Sequence, residues 1–231
     1  MPAVIAKRIF HAVLCLAASS ALAGSLFDLS DMDANSGLKA ALEKGALAAV
    51  GKLGVENGFL NNDAVKIRLP KALEKAQPLL QMTGQAHKLD DLVVSMNRAA
   101  EMAVPMAKPL LLNAVKSLTL NDAKQSLSGG DSAVTDFFRD KTSATLTVQF
   151  LPIVKRVTDR SDLSAKYNGA MSQVSLFGGK RQSAATVEGY VTERAVDGLF
   201  KMIAEEERAI RRDPFGSGSK IIGKVFGSLR Q

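Results

Sequence analysis

Few residues in this chain are placed to do chemistry, and one trio stands apart. Asn97 and Glu101 are four apart and share a helix face, while Arg98 and Glu101 are three apart. Beside Met96, Ala99, Ala100 and Met102 they could line a pocket, with Glu101 as general acid or base and Arg98 holding an anion. The same spacing equally serves a salt bridge that fixes helix packing. Two further carboxylate pairs, Asp136 with Asp140 and Glu193 with Asp197, are also four apart. Like charges so close can raise one carboxyl into a useful range. A glycan-cleaving pair must face across a cleft, however, and Arg139, Lys141 and Arg194 lie near enough to neutralise both. With no Trp, and only Tyr167 and Tyr190 as tyrosines, a sugar-stacking cleft is disfavoured.

Gly129-Gly130-Asp131-Ser132 could turn the chain and offer backbone N–H groups to a phosphate, with Lys124 and Arg139 the nearest cations. It lacks the Lys-Ser/Thr of a P-loop. A helix stop followed by an Asp or Ser N-cap needs the same residues. The candidate ligand-binding residues are therefore Asn97, Arg98, Glu101, Arg139 and Glu193, with no catalytic residue assigned and no cofactor motif.

The run Glu205-Glu206-Glu207 precedes Arg208, Arg211 and Arg212. Glu207–Arg211 and Glu205–Arg208 pair at helical spacing, and the bases approach the negative end of the helix dipole. This predicts a solvated, self-stabilised face. The rival reading joins these arginines to Lys220, Lys224 and Arg230 beside Ile221, Ile222, Val225 and Phe226. Basic and apolar faces together favour an anionic lipid surface. Arg211, Arg212, Lys220, Lys224 and Phe226 would carry that contact unless the tail packs on the bundle.

The setting is written in the first 23 residues. Lys7 and Arg8 precede an apolar stretch from Ile9 to Ala21, then Ala21-Leu22-Ala23. This is the pattern of a signal peptide cleaved after Ala23, and the apolar stretch is shorter than the roughly 20 residues of a spanning helix. A periplasmic location is expected. Cleavage would leave 208 residues with 28 basic and 23 acidic side chains, a mildly basic domain. The single cysteine, Cys15, lies in the leader behind Leu14, which predicts no lipid anchor, disulfide or thiol chemistry. Only His87 remains as histidine, against a zinc site. The partner expected is an envelope protein, a small ligand or an anionic lipid surface, and no nucleic acid.

The elements that must position these groups are helical almost throughout. Ser36 is the expected cap of a helix from Leu38 to Leu53, stopped by Gly54. A loop from Val55 to Leu69 closes on Pro70, and a helix spans Lys71 to Met82. Helices are expected from His87 to Val104 and Pro105 to Leu118, or as one longer kinked helix. A short helix from Thr119 to Leu127, a helix from Ser132 to Thr158 bent near Pro152, and another from Leu163 to Ser175 follow. The flexible basic loop 178–183 leads to the clearest helix, Val187 to Arg212, stopped at Asp213-Pro214. The fold class predicted is all-α, an irregular bundle of about eight helices after a cleaved signal peptide. Its divisions are the leader 1–23, a flexible mature N-terminus 24–36, one helical domain 37–214 and a short amphipathic C-terminal helix 215–231.

Several segments together form a distinctive set of motifs. They are Gly58-Phe59-Leu60-Asn61-Asn62, Ala64-Val65-Lys66-Ile67, Leu69-Pro70, Ser95 to Glu101, Gly129-Gly130-Asp131 and Phe137-Phe138-Arg139. Tyr190-Val191-Thr192-Glu193, Asp197 to Phe200, Ile203 to Glu207 and Arg212-Asp213-Pro214 complete the set, which resembles the DUF4197 family of exported bacterial proteins from about residue 37 to 227. Arg68 departs from it, where the family tends to carry proline. The resemblance implies a Gram-negative envelope setting and supplies no activity or catalytic residues.

Overall fold

The computed structural model describes residues 30–82, 84, 86–119, 126–176 and 186–229. The leader, the capped segment at 120–125 and the basic loop 178–183 lie outside the described residues. Among those described, the chain is all helical: α1 (Asp31–Leu53), α2 (Lys71–Met82), α3 (Ala86–Lys116), α4 (Ala133–Thr158), α5 (Leu163–Leu176), α6 (Val187–Arg212), a 3₁₀ turn (Phe215–Ser217) and α7 (Lys220–Ser228).

α1 begins at Asp31, so residues 31–36 are ordered helix rather than a flexible N-terminus. The reason is a better cap upstream of Ser36. Ser30 accepts from the Asp33 N–H at 3.1 Å, and Asp31 and Asp33 sit in the first turn, where the helix dipole favours negative charge. Gly54 ends α1 by donating to the Val50 carbonyl at 2.8 Å. α3 runs as one helix through Pro105 and Pro109, both on its exposed side. α6 has the bounds that its apolar period and caps predict, with Thr186 accepting from Gly189 N–H at the start.

α6 is the central column. Val191, Ala195, Leu199, Met202, Ile203 and Ile210 are buried along it, and α1 and α4 pack on it most extensively. Phe138 of α4 meets Phe200 of α6 edge to face, with centroids 5.6 Å apart. α1 buries a stripe of small residues, Ala34, Gly37, Ala41, Gly45, Ala46 and Ala49, so its neighbours come close. A Cβ on Gly37 would lie 2.5 Å from Val225 of α7, and one on Gly45 would lie 3.0 Å from Ile203. The C-terminal tail is thus part of the bundle, with Ile222, Val225 and Phe226 all buried. The irregular loop 54–70 seals one end of the core through Phe59, Ile67 and Leu69.

Gly37 and Gly51 share α1 but not their surroundings, since a Cβ at Gly51 meets nothing within 4 Å. Gly37→Ala is expected to cost about 1–3 kcal/mol by overpacking against Val225. Gly51→Ala should instead stabilise the fold by about 0.5–1 kcal/mol through helix propensity. Urea unfolding of the two variants checks the opposite signs, and equal shifts would mean α7 does not dock as described.

Candidate functional site

The trio on α3 is a latch. Asn97 is fully buried, and its Oδ1 accepts from Ile67 N–H at 2.9 Å while its Nδ2 donates to the Ile67 and Val93 carbonyls at 2.8 and 2.7 Å. Glu101, 4% exposed, accepts the N–H groups of both Phe59 and Leu60 on Oε1 at 3.0 Å. Its Oε2 takes the Arg98 Nη1 donor at 2.6 Å. Arg98 reaches on to Glu56 and to Asn57, whose backbone sits at φ 67. Asn tolerates that left-handed geometry better than most residues. All three side chains hold loop 54–70 against α3, and the Glu101 oxygens are already occupied. The salt-bridge reading of the spacing is the one the structure realises, with the loop rather than a second helix as partner.

A second latch was not legible as one. Glu207, also 4% exposed, lies beneath the start of α4. It accepts from Val134 N–H at 3.1 Å, Thr135 N–H at 2.7 Å, Thr135 Oγ1 at 2.6 Å and Arg211 Nε at 2.9 Å. The expectation of a solvated face at Glu205–Glu207 is therefore wrong for Glu207, although its pairing with Arg211 holds. The expected Asp or Ser cap is also replaced. Ser132 occupies the N-cap position but makes no side-chain cap bond, and Glu207 supplies the acceptor from 72 residues away. The α4 amides that could have cradled a phosphate are filled by this carboxylate.

The tail residues proposed for a membrane surface separate into two groups. Phe226 is 1% exposed and lies under the Arg211 guanidinium, 5.4 Å from its ring centroid, so neither side chain is available to lipid. Arg211 also donates to the Leu127 carbonyl. Lys224 bonds Asp33 across the α1–α7 contact at 2.6 Å. Arg212 and Lys220 stay exposed. No described helix is long and apolar enough to cross a membrane.

What remains is a groove of about 400 Å³ walled by loop 54–70, α4 and α6. It gathers Lys66 from the loop, Arg139 from α4, and Arg194, Lys201 and Arg208 from α6, against only Asp136 and Asp197. Asp136 bonds Ser132 Oγ at 2.9 Å. Asp197 is shared, with Oδ1 3.1 Å from Arg139 Nη2 and Oδ2 3.3 Å from Arg194 Nη1. Lys201 donates to the Ala64 carbonyl at 2.8 Å, tying the loop to α6. Tyr190 Oη does the same at Arg68 O at 3.0 Å, and burial pushes its phenol up. Of the five candidate ligand-binding residues Arg139 alone lines this groove, joined by one member of each carboxylate pair, Asp136 and Asp197. Glu193 is exposed, 3.9 Å from Arg194, and Glu101 lies under the loop, so neither joins Asp136 in the groove. The signal for the groove was the seven-residue spacing of Arg194, Lys201 and Arg208, which places them on one side of α6. A second cavity of about 420 Å³ opens beside His87. Its Lys166 is engaged by Asp162 and Ser95, so it offers less free charge. Among the described residues, no three His, Cys, Asp or Glu side chains converge as metal ligands.

Residues 28–227 match the family described as protein of unknown function (DUF4197), and the chain belongs to that family. No curated protein and no solved structure matches it.

Each latch has its own signature. Glu101→Gln should speed amide exchange at Phe59 and Leu60, and Glu207→Gln at Val134 and Thr135, each with a loss of roughly 2–4 kcal/mol. Site-resolved hydrogen exchange would contradict the assignment if either variant left its own amide pair protected.

The Lys224 hydrogen bond, helped by Ser30, holds the Asp33 carboxyl below its ordinary value. A folded-state value below the unfolded one gives stabilisation that is present above the unfolded carboxyl range. It is lost as pH falls through the lower, folded value. Thermal unfolding of Lys224→Met should therefore lie below wild type at neutral pH and converge with it in acid. A gap that stays constant with pH would rule the pair out.

Proposed function

We propose that the protein is exported and acts as a non-catalytic binding module of the cell envelope, holding an anionic ligand in the groove between loop 54–70, α4 and α6. The observation carrying this reading is the surplus of positive charge in one concave site. Five cations face two carboxylates there, and among the described residues neither Lys66 nor Arg208 has an acidic partner. A cleft lined by one sign of charge concentrates counter-ions of the other. The non-catalytic part is supported by the state of Glu101 and Glu207, whose oxygens are committed to backbone amides and arginines. Export is supported by Lys7-Arg8, the apolar stretch and Ala21-Leu22-Ala23.

Calorimetric titration of the chain with pyrophosphate at low ionic strength tests the reading. The Lys66→Gln/Arg208→Gln variant should bind at least about tenfold more weakly, a loss of about 1.4 kcal/mol, with unchanged thermal stability. Added salt should weaken wild-type binding, because the groove is open to screening. Equal affinity in the double variant, or no anion binding by wild type into the millimolar range, would overturn it.

A further inference from the structure

We infer that the groove takes an extended oligophosphate rather than a single small anion, and that Asp197 is its built-in competitor. This rests on the anion-binding reading above and specifies its ligand.

Length is the first argument. Arg194, Lys201 and Arg208 recur every seven residues of α6, and fourteen residues of helix rise roughly 21 Å. The drift of about 20° per heptad keeps the three on one side. One orthophosphate can meet only one end of such a row. A chain of phosphoryl groups can meet the arginine pair at one end and Lys201 and Arg208 further along.

The second argument is what occupies the arginine end now. Arg139 and Arg194 come from different helices and grip the two oxygens of one carboxylate at 3.1 and 3.3 Å. That is the geometry in which two guanidinium groups hold a pair of phosphoryl oxygens. Asp197 is 51% exposed, so its release from the pair costs little. The arginines do not depend on it for position. Arg139 lies over the Phe200 ring at 5.4 Å and Arg194 over Tyr190 at 5.7 Å. These ring contacts keep both guanidinium groups in place once the carboxylate swings away. A small anion must displace Asp197 to gain anything at that end. An oligophosphate gains at Lys201 and Arg208 first and displaces Asp197 with its remaining charge.

Calorimetric titrations with orthophosphate, pyrophosphate and tripolyphosphate, on wild type and Asp197→Asn, test this. Wild-type affinity should rise at least about tenfold from the first to the last. Asp197→Asn should bind orthophosphate and pyrophosphate about three- to tenfold more tightly, with a narrower spread across the series. Asp90→Asn, the same charge change on the exposed face of α3, should change nothing and so separates a local effect from net charge. A flat series that still weakens in Lys66→Gln/Arg208→Gln keeps anion binding and defeats the extended ligand. Unchanged or weaker binding in Asp197→Asn defeats the competitor. Binding to phosphatidylglycerol vesicles without affinity for tripolyphosphate would defeat the soluble oligophosphate in favour of a lipid surface. No response of wild type or Asp197→Asn to any of these would take the anion-binding reading down as well.

Discussion

Two buried carboxylates hold this bundle in register, and both do it by gripping adjacent backbone N–H groups of a distant segment. Burying a carboxylate costs several kcal/mol unless its lone pairs are satisfied. Glu101 meets the condition with Phe59, Leu60 and Arg98, and Glu207 with Val134, Thr135 and Arg211. In each case an arginine one helical turn away completes the coordination and balances the charge. Hydrophobic contact alone would tolerate a loop that slides or a helix that starts a residue late. A carboxylate aimed at two consecutive amides does not, because a shift of one residue leaves donors buried without acceptors.

These latches fix the two walls that α6 does not itself provide. Lys66 stands next to Ile67, whose N–H and carbonyl are both bonded to Asn97, and two residues after Ala64, whose carbonyl takes Lys201. Arg139 lies just over one turn beyond Thr135, which Glu207 anchors. The groove therefore inherits its shape from polar contacts in the core rather than from its own side chains. Preorganisation of this kind lowers the ordering cost that a bound ligand would otherwise meet.

The parts of the fold that were legible follow from local chemistry. The bounds of α6, the stop at Gly54 and the start after Pro70 rest on period, caps and backbone restrictions acting within one turn. Other features were hidden because their causes are long-range. Glu207 looked solvated since its i,i+4 arginine explained it locally, while its amide partners lie more than 70 residues back. The partners of Asn97 and Glu101 sit in an irregular segment with no periodicity to read. The C-terminal tail shows the limit of amphipathic pattern. Ile222, Val225 and Phe226 make the same stripe whether the opposing surface is a membrane or α1, and only a neighbour such as Gly37 decides it. α1 starts before the Ser36 cap that local pattern favours, because two serines compete as cap and the acids Asp31 and Asp33 favour the earlier one.

Where the positive charge ends up follows from the same arrangement. Arg98 and Arg211 are the arginines the core uses, and each is matched by a carboxylate beside it. Lys224 is matched by Asp33 and Lys155 by Asp159, so these cations too are neutralised locally along the bundle. Among the described residues Lys66 and Arg208 have no such acidic partner, and both lie in the groove. A modest surplus spread over the whole surface would be an ordinary solubility charge. Concentrated in a concave site with fixed walls, it becomes a field that an anion meets from several sides at once. The Asp197 carboxylate between Arg139 and Arg194 is the internal counter-ion such a field requires when no ligand supplies one. Its half-exposed position, unlike the burial of Glu101 and Glu207, leaves it free to be exchanged.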